Sequence, residues 1–483
     1  MTSSREWHRT LWHYSDGYRL AWIIGPQALA LAVVAGLFWP GSSSPQSSPA
    51  GGNWAKAPPP AIEWGRCIGG TAPPLEQIVT DCTRIISSGS AQGSDLANAY
   101  FRRANARNAM KDLDAALADY DEAARLAPGG DNVFINRGNI YYTRSQWAKA
   151  EADYSRAIEA NPRSAVAYAD RANARRMQGQ LDDALADTMK AESLDKSLDH
   201  TFYVRMLIYE NKGDWPAVIS AATSLLQINP NDSRGYLSRG FAQMRLVRND
   251  AARADIDKAA ELGNTSQFIP LVRALLALRN NDAATTANEA SRCLQIAPKE
   301  AECLTTRAYA RIMQADYLGA QDDATAALAS NPKTAEGYAT RGRARAFLNQ
   351  TDAALDDLAK AIEIAPRSAQ FRYFRADAFR IGEEAAYSAC PASRQSAGPS
   401  TVIGGGGSSR ICAMGPDTET GIRYYNEALA LEPGHPQALA GRGILYMIAK
   451  RRDLGEADLR KAASLAPGNA WIRSVLTHYG IRQ

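Results

Sequence analysis

The chain has 483 residues, and its 55 Lys and Arg nearly balance 51 Asp and Glu, for a net charge of +4. So small a surplus over that length argues against a dedicated nucleic-acid binder, which concentrates basic charge on one face. Five scattered histidines, His8, His13, His200, His435 and His478, argue against a histidine metal site or catalytic triad, and no cofactor or small-molecule substrate is implied.

The first predicted element is apolar. After a tail over residues 1–19, Leu20 to Trp39 contains no charged residue. About 20 such residues span a bilayer. Trp12, Tyr14, Tyr18, Trp22 and Trp39 flank it as headgroup-level rings do, Arg5, Arg9 and Arg19 precede it, and the next basic residue is Lys56. The pattern predicts a transmembrane helix over 20–39 with a cytoplasmic amino terminus and the remainder exported. A cleaved signal peptide and a buried soluble helix are the competing readings. Residues 40–65 are rich in Gly, Ser and Pro and read as a flexible linker. Within 66–96, the segment Leu75 to Ser87 places Leu75, Ile78, Val79, Cys82, Ile85 and Ile86 on one helical face, suited to capping a helical array.

From residue 97 to 469 the chain repeats. Arginine recurs every 34 residues at Arg103, Arg137, Arg171, Arg205, Arg239, Arg273, Arg307, Arg341 and Arg375, and again at Arg442. Prolines keep the same beat at Pro128, Pro162, Pro230, Pro298, Pro332 and Pro366, and resume at Pro433 and Pro467. Each period reads as two amphipathic helices with apolar residues three and four apart, and proline stops the second. Small residues recur where the helices must approach, as at Ala104, Gly138, Ala172 and Gly342 on first helices and Ala116, Ala150 and Ala184 on second helices. Asp119, Asp153, Asp187, Asp255, Asp323, Asp357 and Asp458, with Glu289 in register, follow the arginines by 16 residues and predict a ladder of guanidinium–carboxylate pairs. Two units depart: the fourth has Met206, Val218 and Leu225 at small-residue places, and the sixth has Pro270 early in its first helix and Thr286 in its second. A glycine-bearing insertion over 383–416 splits the ninth unit. Trp471, Ile472, Val475 and Leu476 predict a closing helix in 470–483.

This pattern resembles the tetratricopeptide-repeat (TPR) family, with the 34-residue period and its aromatic–small–aromatic–small–Pro order. The resemblance implies an all-α fold: a right-handed α-solenoid of about ten helical hairpins with capping helices, beside the amino-terminal transmembrane helix. The sequence C-I-G-G followed by D-C-T-R-I-I-S-S-G ahead of the array resembles exported, membrane-anchored TPR proteins of the bacterial envelope. That implies a single-pass protein of the inner (cytoplasmic) membrane with its solenoid in the periplasm.

In TPR proteins the first helices line a concave groove that takes peptides. Mapped here, the first three units offer Asn98, Asn105, Asn108, Asn132, Asn139, Tyr142 and Asn173, amides suited to an extended backbone. Units four to seven offer Tyr203, Leu207, Leu237, Phe241, Met244, Leu271, Leu275, Leu278, Tyr309, Ile312 and Met313. That is either an apolar binding stripe or surface buried by tight winding. The family's grip on a terminal carboxylate of a chaperone is not supported, because Phe101, Val166 and Asp170 stand at the cation places. The six cysteines fall into sequence-local pairs, Cys67 with Cys82, Cys293 with Cys303 and Cys390 with Cys412, candidates for disulfides or for reduced thiols.

The function implied is a membrane-anchored scaffold or adaptor that binds peptides or partner helices in its groove, with homo-oligomerisation left open. No H-E-x-x-H, G-x-S-x-G, C-x-x-C or P-loop is present, so no enzyme is expected. A soluble exported protein and a cytoplasm-facing chaperone cofactor are the alternatives.

Overall fold

The computed structural model describes residues 67, 73–89, 91–388 and 416–482. Every element among them is helical: α1 (Leu75–Ser88), α2 (Gly93–Ala109), α3 (Leu113–Leu126), α4 (Asp131–Thr143), α5 (Trp147–Ala160), α6 (Ala165–Met177), α7 (Leu181–Leu194), α8 (Asp199–Lys212), α9 (Trp215–Ile228) and α10 (Ser233–Arg245). Next come α11 (Asn249–Glu261), α12 (Phe268–Arg279), α13 (Ala283–Ile296), α14 (Ala301–Met313), α15 (Tyr317–Ser330), α16 (Ala335–Phe347), α17 (Thr351–Ile364), α18 (Ala369–Ser388), α19 (Thr418–Leu431), α20 (Pro436–Ile448), α21 (Arg452–Leu465) and α22 (Ala470–His478). The chain divides at Leu246/Val247 into an amino-terminal body, through α10, and a carboxy-terminal body from α11 onward.

Local chemistry explains the hairpins. Second helices stop one residue before the repeated proline, as at Ala127 before Pro128 and Asn161 before Pro162, because proline removes a donor and pushes its predecessor to extended backbone. Side-chain caps open several of the next helices: Ser164 accepts from the Ala167 amide, Asp232 from Arg234 and Gly235, and Asn469 from Ile472. Within a hairpin the turn carries one left-handed residue, at Lys111, Ser145, Gly179, Gly213, Asn281, Ala315, Asn349 and Lys450. The repeat therefore fixes turn geometry as well as helix length.

Packing obeys the small-residue register. A Cβ on Gly138 would lie 2.8 Å from Tyr154 Cε1, and one on Gly342 would lie 2.8 Å from Leu358 Cγ and 3.0 Å from the Ala354 carbonyl oxygen. Tyr120, Tyr154 and Tyr425 fill the space beside such positions and are fully buried. In the amino-terminal body α1 covers α2, and the first helices α2, α4, α6 and α8 touch in a row, each also packing on its own second helix. In the carboxy-terminal body α12, α14, α16, α18, α20 and α22 form a corresponding row. Trp471, Ile472, Val475 and Leu476 of α22 are buried in its last core.

The arginine ladder binds the two helices of a hairpin together. Arg103–Asp119, Arg137–Asp153, Arg171–Asp187, Arg307–Asp323, Arg341–Asp357 and Arg442–Asp458 each make two parallel hydrogen bonds of 2.6–2.9 Å. Arg107, Arg175, Arg311 and Arg345, one turn on, reach the same aspartates in their own units at 2.8–2.9 Å. Glu289 does not join the ladder: it pairs with Arg292, while Arg273 reaches back to Asp257. Arg375 meets Tyr424 where the aspartate would stand, stacks on that ring at 4.5 Å and pairs with Glu427.

The irregular units keep the hairpin. Met206, Val218 and Leu225 are fully buried at the small-residue places of the fourth. Pro270 sits in the first turn of α12, where its missing amide hydrogen leaves no helical bond unmade. In the ninth, α18 runs to Ser388, beyond the predicted start of the insertion; residues 389–415 lie outside the described residues.

The single-pass inner-membrane placement is corrected. Among the described residues no helix is long and apolar enough to cross a membrane. The longest, α18 with 20 residues, carries Arg372, Arg375, Asp377, Arg380, Glu383 and Glu384, each costly in hydrocarbon. The predicted tail 1–19, transmembrane stretch 20–39 and linker 40–65 lie outside the described residues.

Candidate peptide-binding face

The row of first helices in the amino-terminal body sets three asparagines at equivalent points of consecutive hairpins: Asn105 on α2, Asn139 on α4 and Asn173 on α6. Their carbonyls point inward. Asn105 Oδ1 accepts from the Tyr120 hydroxyl at 2.5 Å and from Asn136 Nδ2 at 2.9 Å. Asn139 Oδ1 accepts from the Tyr154 hydroxyl at 2.6 Å. In the third hairpin Thr188 replaces the tyrosine, and Asn173 Oδ1 instead accepts from Arg176 Nε and Nη2 at 3.0 and 2.9 Å. A guanidinium only donates, so the orientation of Asn173 is set by its partner. With the carbonyls engaged, Asn105 and Asn139 keep their amide N–H groups for an acceptor. Asn139 and Asn132 are exposed, and Asn98 and Asn108 are half-buried.

Beyond the asparagines, α6, α8 and α10 bring together Arg176, Tyr203, Glu210, Arg234 and Ser238, with Tyr142 of α4 alongside. Burial raises the Tyr142 pKa, opposed by the charge and hydrogen bonding of Arg176 and by a hydrogen bond from Asn173. Burial pushes Tyr203 up to about 12, opposed by Arg234, whose guanidinium lies 4.2 Å from the ring centroid. Burial pushes Glu210 up to about 7, opposed by a hydrogen bond with Ser238 and by the Arg176 charge. Arg176 is only 5% exposed, and its Nη1 has no hydrogen-bond partner.

The apolar candidates stand differently. Tyr203, Leu207, Leu237, Phe241 and Met244 of the amino-terminal body are buried, Phe241 edge-on against Trp215 at 5.6 Å. In the carboxy-terminal body Leu271, Leu278, Tyr309 and Ile312 are buried, and Leu275 and Met313 are half-buried. Side chains this bulky fill the space between neighbouring helices, as Tyr203 and Leu207 do in one cluster with Ala242. The stripe is therefore mostly packing surface, while in the asparagine row Asn139 is exposed and Asn105 and Asn173 are half-buried. Sequence reasoning missed Arg176 and Glu210. They stand three residues after the asparagine row, with Asn108 and Tyr142, and the 34-residue register would have shown that second row.

Cys67 and Cys82 are joined, with Cα atoms 5.1 Å apart, and tie residue 67 to α1 beneath Ile85 and Ala91. Cys293 and Cys303 are also joined, linking α13 to α14 at a Cα distance of 6.1 Å. Cys390 and Cys412 lie outside the described residues.

One tetratricopeptide-repeat model matches residues 154–186, and another matches residues 97–129 and 335–368. The chain carries tetratricopeptide repeats. A TPR and J domain-containing co-chaperone of Cryptococcus neoformans is 22% identical over 50% of this chain and 45% of its own length. The human mitochondrial import receptor subunit TOM70 is 24% identical over 39% of this chain and 32% of its own length. The chain thus spans less than half the length of these curated relatives. A solved TPR protein from Parabacteroides merdae is 20% identical, with 51% of this chain and 98% of that one covered and a TM-score of 0.42.

Proposed function

We propose that this TPR chain is a protein-binding scaffold, not a catalyst, and that the first-helix face of its amino-terminal body holds an extended segment of a partner protein. The observation that carries the reading is the pair of oriented asparagines. Asn105 and Asn139 stand one repeat apart with their carbonyls bound inward by buried tyrosine hydroxyls, so their amides turn to an outside acceptor. An extended peptide offers backbone carbonyls at regular intervals, and amide donors take them without demanding a particular side chain. Two of the relatives bear the names co-chaperone and import receptor, roles in which one protein handles another; their partners are their own.

A photocrosslinking residue placed at exposed Asn139 in the full-length chain tests this, with the same residue at exposed Glu159, on the second helix of that hairpin, as the control. The expected outcome is a partner adduct from position 139 and little from 159, reduced further by Asn105→Ala. Equal yields at both positions contradict the reading.

A further inference from the structure

We propose that the Cys293–Cys303 bridge is a redox-sensitive latch: oxidised, it closes α13 onto α14 in a hairpin that the arginine ladder does not hold, and a dithiol reductant releases it. The latch lies wholly within the carboxy-terminal body and is independent of what the amino-terminal body binds.

α13 is the second helix of the sixth hairpin. In the next hairpin Arg307 ties α14 to α15 through Asp323, and in the one after it Arg341 ties α16 to α17 through Asp357. The same register sets Arg273 of α12 opposite Glu289 of α13, but both side chains turn elsewhere. Arg273 donates twice to Asp257 Oδ1, at 3.1 and 2.6 Å. Glu289 accepts from Arg292 of its own helix at 2.7 Å, and its Oε2 is buried without a donor. Thr286, fully buried, gives its hydroxyl back to the Asp282 carbonyl at 2.6 Å. The rung between α12 and α13 is therefore missing, and the covalent tie of α13 is on its other side, to α14. Cys293 stands where other second helices carry Ala157, Ala191, Ala327 and Ala361, and Cys303 where other first helices carry Ala167, Gly235 and Gly337. Both cysteines are fully buried. A bridge across that contact limits how far the two helices can part, because the opened state must keep its ends together.

Release is thiol–disulfide exchange. One thiolate of the reductant attacks a bridge sulfur, the Cys293–Cys303 bond breaks and a mixed disulfide forms. The second thiolate then displaces the protein sulfur, the two protons of the dithiol end on the cysteines, and the reductant leaves as a disulfide. With both sulfurs buried, attack waits for α13 to lift from α14, and the missing rung lowers the cost of that local opening. Once reduced, two unbonded thiols crowd a contact sized for alanine and glycine. α14, which touches α12 and α16 in the first-helix row, then loses its fixed link to the hairpin before it.

Dithiothreitol, added without denaturant to the oxidised full-length protein, is the probe. Differential alkylation with mass spectrometry reads each cysteine, and amide hydrogen exchange reads each helix. The expected result is alkylation of Cys293 and Cys303, with exchange across α13 and the first turn of α14 faster by at least about tenfold and that of α16 and α17, whose rung is intact, unchanged. Cys293→Ala with Cys303→Ala separates this latch from the Cys67–Cys82 bridge: exchange in α13 and α14 of the double variant is expected to ignore the reductant. If that variant does not fold, the wild type alone decides. Unchanged exchange in α13 after both cysteines are alkylated overturns the latch. So does a Cys293–Cys303 bridge that stays closed in excess dithiothreitol, or a double variant whose α13 still responds to it.

Discussion

Replacing Arg137 by alanine lowers the stability of the amino-terminal body by about 3–5 kcal/mol, the cost of leaving a buried charge without its partner. Arg137 is 8% exposed and Asp153 is 4% exposed. The arginine holds Asp153 through two bonds of 2.8 and 2.6 Å, holds Asp121 through a third of 2.8 Å, and lies over the Phe134 ring at 5.6 Å. Truncation therefore strips a buried carboxylate, an exposed one and a ring at once. Arg137→Ala with Asp153→Ala is expected to recover much of the loss, because the double change removes the orphaned charge as well as its partner. Urea unfolding of the wild type, both single variants and the double variant closes the cycle. Additive losses in the double variant would mean that the pair acts through packing and not through its charges. Arg144→Ala, whose partner Asp114 is almost wholly in solvent, is expected to change stability little.

Glu210→Gln raises stability above neutral pH by an amount on the order of 3 kcal/mol. Burial holds the folded-state pKa of Glu210 at about 7, against about 4.3 for an unfolded glutamate. A folded pKa raised above the unfolded one means the folded state binds the proton more tightly. That contribution is fully present below about pH 4 and is lost as pH rises through about 7. Glutamine keeps a polar group for Ser238 and carries no charge to desolvate. The variant is therefore expected to match the wild type near pH 4 and to exceed it near pH 8. Urea midpoints at the two pH values read the difference. Parallel pH profiles for wild type and variant would show that Glu210 does not titrate in this window.

Much of this architecture is legible in the amino-acid order. The 34-residue beat of arginine and proline locates the hairpins, and the offset from Arg103 to Asp119 names the ladder that joins their helices. Other features are not, for physical reasons. Arg107, Arg175, Arg311 and Arg345 occur in only some units, so no period advertises the second grip on each aspartate. Glu289 holds the ladder register, yet its side chain goes to Arg292 on its own helix. The residues of the apolar stripe lie on the first helices, but a face pattern does not report how closely neighbouring helices approach. Leu207 and Phe241 are buried by that approach. The turn of Asn173 toward Arg176 depends on one absence, Thr188 standing where the earlier hairpins have tyrosine. The inner-membrane placement came from residues 20–39, and nothing among the described helices carries it.

Peptide binding by the first-helix face requires that a partner cover one side of the hairpins and leave the other in solvent. Amide hydrogen exchange of the full-length chain, alone and with the partner captured through position 139, reads that directly. The expected result is slowed exchange in α2, α4 and α6, with α3, α5 and α7 nearly unchanged. Protection centred on the second helices, or spread evenly over both, would contradict it.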